Sequence, residues 1–176
     1  MPGPAFAHGD TVSLHPIEDE DHDFIQYGST HPDLRRPLGT TTIRSSDDVA
    51  DLVEDDEYRF VVCVADGDAL ERVGVVGLPW VFDDSQSGFL MYWIAPEHQG
   101  NGYVTEATEL SLDYLFRECG FHKVGAFVLE PNEASAAVLE NLGFVREGTL
   151  RRESFHDGEW TDEYRYGLLA REWLDD

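Results

Sequence analysis

Between Tyr92 and Ala107 the chain reads YWIAPEHQGNGYVTEA: an apolar segment of strand type, two glycines one residue apart, then the start of a helical pattern. A backbone that leaves a strand through Gly100 and Gly102 and enters a helix presents amides with no intrahelical acceptor, and the helix dipole adds partial positive charge. Phosphate suits such a place, because glycine lets a bulky anion approach the main chain. Two glycines alone read equally as a tight turn. The loop has neither the lysine nor the Ser/Thr of a P-loop, which disfavours nucleoside-triphosphate hydrolysis. A second group of chemically able residues lies downstream: Glu130, Asn132 and Ser135 at a strand-to-helix junction, and Glu153 on a later hairpin. An amide, a hydroxyl and carboxylates can orient, protonate and deprotonate a reacting group. The seven histidines show no H-E-x-x-H spacing and there is no Cys-x-x-Cys, so no metal site is expected.

These residues must be held by the elements around them. Thr11 to Ile17 alternates apolar and polar residues as a first strand, and the acidic run EDEDHD at 18–23 opens a helix. His31 to Gly39, with two prolines and a glycine, reads as a loop, and Ser45 to Glu57 as a second short helix. Phe60–Ala65, Arg72–Val81 and Gly88–Ala95 are rich in Val, Phe, Trp and Tyr and are separated by the turns ADGDA and DDSQSG, which implies antiparallel neighbours. Val104 to Cys119 is a helix with one apolar face, stopped by Gly120. Lys123–Leu129 is a strand, Asn132 caps a helix over Ala134–Leu142, and Thr149–Phe155 with Trp160–Leu168 form a hairpin around HDGE. The expectation is an α/β (α+β) fold: a mixed, largely antiparallel sheet with helices on both faces, in the order β-α-α-β-β-β-α-β-α-β-β. A Rossmann domain, with repeated βαβ units and an early G-x-G-x-x-G, is excluded. Residues 1–9 read as a tail and 10–174 as one domain, with 41% apolar residues to fill a core.

Thirty-six acidic residues face twelve basic ones, a formal charge of −24, and Lys123 is the single lysine. Binding to nucleic acid or to an anionic membrane surface needs basic residues, so neither partner is expected. For a sphere of about 26 Å radius, self-repulsion falls from about 11 kcal/mol at 0.15 M salt to about 5 at 1 M, as upper bounds. Such a composition suits a halophilic, high-salt cytoplasm, with an acidic mesophile protein as the alternative. The opening MPGPAFAHGD lacks a basic segment followed by an apolar run, so a cytoplasmic location is expected. Cys63 and Cys119, each in an apolar setting, read as buried free thiols.

The run Trp93 to Ala107 resembles the acyl-CoA pyrophosphate loop of the GNAT N-acetyltransferases, whose pattern Gln/Arg-x-x-Gly-x-Gly/Ala is met by Gln99 and Gly102. NEASAAVLENLGF at 132–144, EGTLRRE at 147–153 and the closing hairpin with Asp157, Gly158 and Trp160 resemble the RimJ/RimL branch. The resemblance spans roughly residues 10–174. It implies acetyl-CoA as co-substrate, bound between splayed parallel strands 88–95 and 123–129. Amides of Tyr92, Trp93 and Ile94 would meet the pantetheine arm, one serving as oxyanion donor. Amides from Gly100, Asn101, Gly102, Tyr103, Val104 and Thr105 would hold the pyrophosphate. Val104 replaces a usual small residue, and Asn101 stands where relatives are often basic.

Acyl transfer needs a neutral amine, a base for its proton and an acid for the leaving thiolate. The tyrosine acid that many relatives carry seven residues after the asparagine is Leu139 here. A serine in the first turn of this helix, Ser135, is the RimL-like alternative, and equally a plain helix-start residue. Asn132 either caps its helix or also meets pantetheine or substrate. Where relatives carry a strand glutamate this chain has Phe127, leaving Glu130, Glu153 or a water chain as base. A water chain suffices for an α-amine of pKa about 8 better than for a lysine near 10. The expected acceptor is therefore a protein N-terminus. A polyamine, amino acid or antibiotic is the alternative, and a non-catalytic acyl-CoA sensor lies outside the enzymes.

Overall fold

The computed structural model describes residues 2–54, 57–67 and 69–175. Met1 of the tail, residues 55–56 of the expected second helix and Asp68 of the ADGDA turn lie outside them, as does Asp176. Among the described residues eight strands form one sheet: β1 (Ala7–His8), β2 (Val12–Pro16), β3 (Arg59–Asp66), β4 (Ala69–Phe82), β5 (Ser87–Ile94), β6 (Lys123–Leu129), β7 (Val145–His156) and β8 (Glu159–Leu169). Their spatial order is β1-β2-β3-β4-β5-β6-β8-β7. Neighbours are antiparallel except β5 and β6, which are parallel. The helices are α1 (His22–Thr30), α2 (Pro32–Arg35), α3 (Ser46–Val53), α4 (Tyr103–Asp113), α5 (Glu133–Asn141) and α6 (Ala170–Leu174).

Strand alternation assigns the two faces. On β5, Leu90 and Ile94 join the larger core, with Tyr92 against it, beside Ala107 and Leu112 of α4 and Leu139 of α5. Trp93, on the opposite face, packs with Ile25 of α1, Leu34 of α2, Val49 of α3 and Val75 of β4. The mixed sheet with helices on both faces is the architecture expected from the sequence.

Several elements go beyond that expectation. The segment read as a loop at 31–39 begins with one helical turn, α2, whose His31 Nδ1 accepts from the Asp33 amide at 3.3 Å. Pro32 is its first helical residue, where a missing N–H costs nothing. Short β1 and terminal α6 are also additional. After Asp113 the helix widens into a π turn over Tyr114–Glu118, the Cys119 amide donating to the Tyr114 carbonyl at 3.1 Å. Cys63 is fully buried, and burial pushes its thiol up to about 12, so it is inert at neutral pH. Cys119, expected to be buried, is only half-buried.

A buried ion pair ties α1's entry to the sheet. Asp21 is fully buried, takes the Arg72 Nε at 2.5 Å and accepts the Glu18 amide at 2.9 Å. Removing one partner strands a charge in a low-dielectric site, so Arg72→Leu is expected to cost about 3 kcal/mol, short of the extreme because the Arg72 side chain is 24% exposed. Adding Asp21→Asn should recover part of that loss, since a neutral amide replaces the stranded carboxylate. Thermal melts of the two variants check this; an Arg72→Leu protein melting like wild type shows that the pair contributes nothing net.

Candidate active site

The parallel pairing of β5 with β6 covers only Ser87–Lys123, Gly88–Val124 and Phe89–Gly125. Beyond it, β5 stays on β4 as far as Ile94 opposite Gly74, and β6 stays on β8 as far as Leu129 opposite Glu163. The inner edges of residues 90–94 and 126–129 therefore diverge, and the first turn of α5 stands in the gap. A cavity of about 520 Å³ occupies this cleft, lined by Tyr92, Trp93 and Ile94, the loop 99–105 apart from Asn101, and Asn132 and Ser135.

The loop is built by its own side chains. Gln99 Nε2 donates to the Ile94 carbonyl at 2.9 Å, fastening the loop to the end of β5, and Asn101 Nδ2 donates to the His98 carbonyl at 2.9 Å. Gly100 and Gly102 both have φ of +80°, a left-handed conformation that disfavours side chains, and a Cβ on either would meet nothing within 4 Å. The first helical bond of α4 is the Glu106 amide to the Gly102 carbonyl at 3.2 Å. Among the described residues, the amides of 100–105 have no acceptor in the protein. Free amides around an open, Cβ-less hollow at a helix start fit a pyrophosphate. No Lys or Arg lines the cavity; its titratable groups are Asp33, Tyr92, His98 and Tyr103.

Asn132 Oδ1 accepts the Ser135 amide at 3.2 Å, a helix cap, while its Nδ2 donates to the Pro37 carbonyl at 3.4 Å. The Ser135 hydroxyl lies 2.9 Å from the Tyr92 phenol. Burial pushes that phenol up to about 12, against the opposing effect of the Ser135 hydrogen bond. Leu139 is fully buried in the core. Neither candidate carboxylate lines the cavity: Glu130 accepts from the Tyr164 hydroxyl at 3.1 Å, and Glu153 is exposed on β7. Sequence reasoning missed the wall opposite, formed by Asp33 and Leu34 of α2 with Pro37 and Leu38 after it, and also His98. The readable signal was Pro32, which marks a helix start as well as it marks a loop. Among the described residues, no group of three or more His, Cys, Asp or Glu is placed to hold a metal ion. Among the described residues, no helix is long and apolar enough to cross a membrane.

The family model for the acetyltransferase (GNAT) domain matches residues 11–145. "Probable N-acetyltransferase YjcK" of Bacillus subtilis is 35% identical over 119 residues, 67% of this chain and 65% of that protein, so the chain spans about two thirds of that relative's length. Spermidine N(1)-acetyltransferase of Escherichia coli is 27% identical over 168 residues, covering 93% of this chain and 89% of that one. Among solved structures, spermidine N-acetyltransferase from Vibrio cholerae in complex with CoA and spermine superposes with a TM-score of 0.86 at 28% identity, covering 94% of this chain and 99% of that one. The chain belongs to the GNAT family of acetyltransferases and is an N-acetyltransferase that uses acetyl-CoA.

Proposed function

We propose that the chain acetylates a primary amine on a small polycationic acceptor of the polyamine class. The observation that carries this reading is the nearly end-to-end likeness to two spermidine acetyltransferases, one of them holding CoA and spermine. Asp33 supports it: a carboxylate on the cleft wall can hold a remote ammonium while a terminal amine points at the acyl group. The RimJ/RimL-like motifs remain the argument for a protein N-terminus, and the test decides between the two.

Acetyl-CoA supplies the activated thioester. The amides of Gly100 and of residues 102–105 hold its pyrophosphate, those of Tyr92 and Ile94, which strand alternation turns away from β4, align the arm and polarise the carbonyl, and Ser135 stands at the leaving sulfur. With Glu130 and Glu153 away from the cleft, water in the cavity takes the proton from the amine. Thiol release from acetyl-CoA is to be measured with spermine, single amino acids and short peptides with free N-termini. Spermine is expected to be the best acceptor, and peptides turning over faster would restore the N-terminal reading. Asp33→Asn is expected to raise the KM for spermine about tenfold and leave acetyl-CoA affinity unchanged, which calorimetry checks; an unchanged spermine KM removes Asp33 from the acceptor site.

A further inference from the structure

We infer that the Tyr92 side chain is a positioning residue acting through Ser135, the two hydroxyls forming a relay that protonates the departing thiolate. The inference rests on the acyl-transfer reading of the cleft and assigns a role to a phenol that the sequence offered only for its backbone amide. Tyr92 lies three residues beyond Phe89, the last position where β5 and β6 pair, and so sits deep in the gap. The four hydroxyl side chains on the cavity are Tyr92, Tyr103, Thr105 and Ser135; Tyr103 and Thr105 belong to the helix start at the phosphate end. At the acyl end only Tyr92 and Ser135 remain, one from the sheet and one from the helix.

Their geometry is that of a hydroxyl chain. The Tyr92 phenol lies 2.9 Å from Ser135 Oγ and 3.2 Å from the Ser135 carbonyl oxygen. Swinging its proton between these two acceptors leaves the serine proton free to point into the cavity. The serine is held still, because its amide donates to Asn132 Oδ1 at 3.2 Å. No charged group hydrogen-bonds to either hydroxyl among the described residues, so the pair is neutral. The phenol, pushed up to about 12 by its burial, keeps its proton at neutral pH.

The protons balance as follows. The amine nitrogen bonds to the carbonyl carbon and yields a proton to water, and the C–S bond breaks with its electron pair on sulfur. Ser135 gives its proton to that sulfur, Tyr92 refills Ser135 Oγ, and the phenol recovers a proton from solvent. A serine hydroxyl alone is a poor acid, and a second hydroxyl behind it delocalises the charge that develops.

The test compares wild type with Tyr92→Phe, Ser135→Ala, the double variant and Ser135→Thr. For spermine acetylation, each single loss is expected to lower kcat about tenfold or more with the KM for acetyl-CoA within threefold. The double variant should be no worse than Ser135→Ala within twofold, and Ser135→Thr should recover most of kcat. Binding gives a readout that needs no turnover. At pH 9 wild type should bind CoA tighter than desulfo-CoA by calorimetry, through the thiolate, and that preference should fall several-fold in Tyr92→Phe and in Ser135→Ala. Asp33, His98 and Tyr103, the other titratable groups on the cavity, are common to all the proteins compared. Multiplicative losses in the double variant, or a Tyr92→Phe protein with wild-type kcat and CoA preference, overturn the relay. Should Tyr92→Phe fail to fold, Ser135→Ala, which removes only a half-buried hydroxyl, carries the binding comparison. Should wild type acetylate no amine in the panel, the proposed function fails while the desulfo-CoA comparison still decides the relay.

Discussion

Gly102→Val is expected to weaken acetyl-CoA binding about a hundredfold while leaving the protein folded. Two costs must be separated. The first is conformational: φ at Gly102 is +80°, which a β-branched residue adopts at a cost of about 1–2 kcal/mol or more. That cost falls on folding and stays within the stability of an ordinary domain. The second falls on the ligand. A Cβ at Gly102 meets no protein atom within 4 Å, so the new side chain does not collide with the fold but stands in the hollow faced by the amides of Tyr103, Val104 and Thr105. Hydrogen bonds to a charged phosphate are worth about 1.5–3 kcal/mol each, so losing one or two accounts for the hundredfold drop. Gly120 supplies the control, since it has φ of +73°, its Cβ also meets nothing, and it lies outside the cavity. Gly120→Val should share the loss of stability and keep acetyl-CoA affinity. Calorimetry on both folded variants checks this, and equal affinities would place the pyrophosphate somewhere other than this loop.

The parts of this molecule legible in its sequence are those fixed by short-range patterning. The strand Lys123–Leu129 is bounded by its pattern alone, because an apolar run between Gly120 and Asn132 allows little else. The turn at Asp157 and Gly158, with φ of +48° and +87°, was legible because few residues tolerate those angles. The 31–39 segment is not decided by its sequence, because Pro32 and Pro37 signal loop and helix start alike, and what decides is Leu34 docking beside Trp93, a contact between distant parts of the chain. The whole α2 wall of the cleft, Asp33 included, depends on that contact and so is not legible from local pattern. The phosphate end of the site was legible because a loop and its helix are contiguous. The acyl end was not, because Tyr92 and Ser135 are 43 residues apart and only the splay of β5 from β6 brings them together. Glu130 and Glu153 are suggested by residue type alone, and what removes them is position: Glu130 is engaged by Tyr164 of β8, and Glu153 lies exposed on the edge strand β7.

Salt should act on this protein in the direction opposite to that of an enzyme that captures CoA with a basic patch. A sphere with the molecule's accessible surface of 9787 Å² has a radius of about 28 Å, and with a charge of −24 its self-repulsion drops by about 5 kcal/mol between 0.15 and 1 M KCl, an upper bound because the unfolded chain is charged too. The thermal midpoint should therefore rise over that range, and a midpoint that stays flat would remove the salt-adaptation reading of the composition. CoA carries roughly four negative charges, and the same arithmetic gives a repulsion that relaxes by about 2 kcal/mol. Among the described residues no Lys or Arg lines the cavity: Lys123 is paired with Glu147 at 2.5 Å, Arg146 lies 3.3 Å over the Tyr164 ring, and Arg35 and Arg36 adjoin the α2 wall without lining it. What holds the phosphates is backbone amide at contact distance, which screening touches little because it acts beyond the Debye length of about 8 Å shrinking to about 3 Å. Acetyl-CoA affinity should thus tighten about thirtyfold from 0.15 to 1 M KCl, measured by calorimetry on protein shown by circular dichroism to be folded at both salts. Affinity that weakens with salt in folded protein would mean that a local cation, with Arg35 and Arg36 beside the α2 wall the candidates, outweighs the amides.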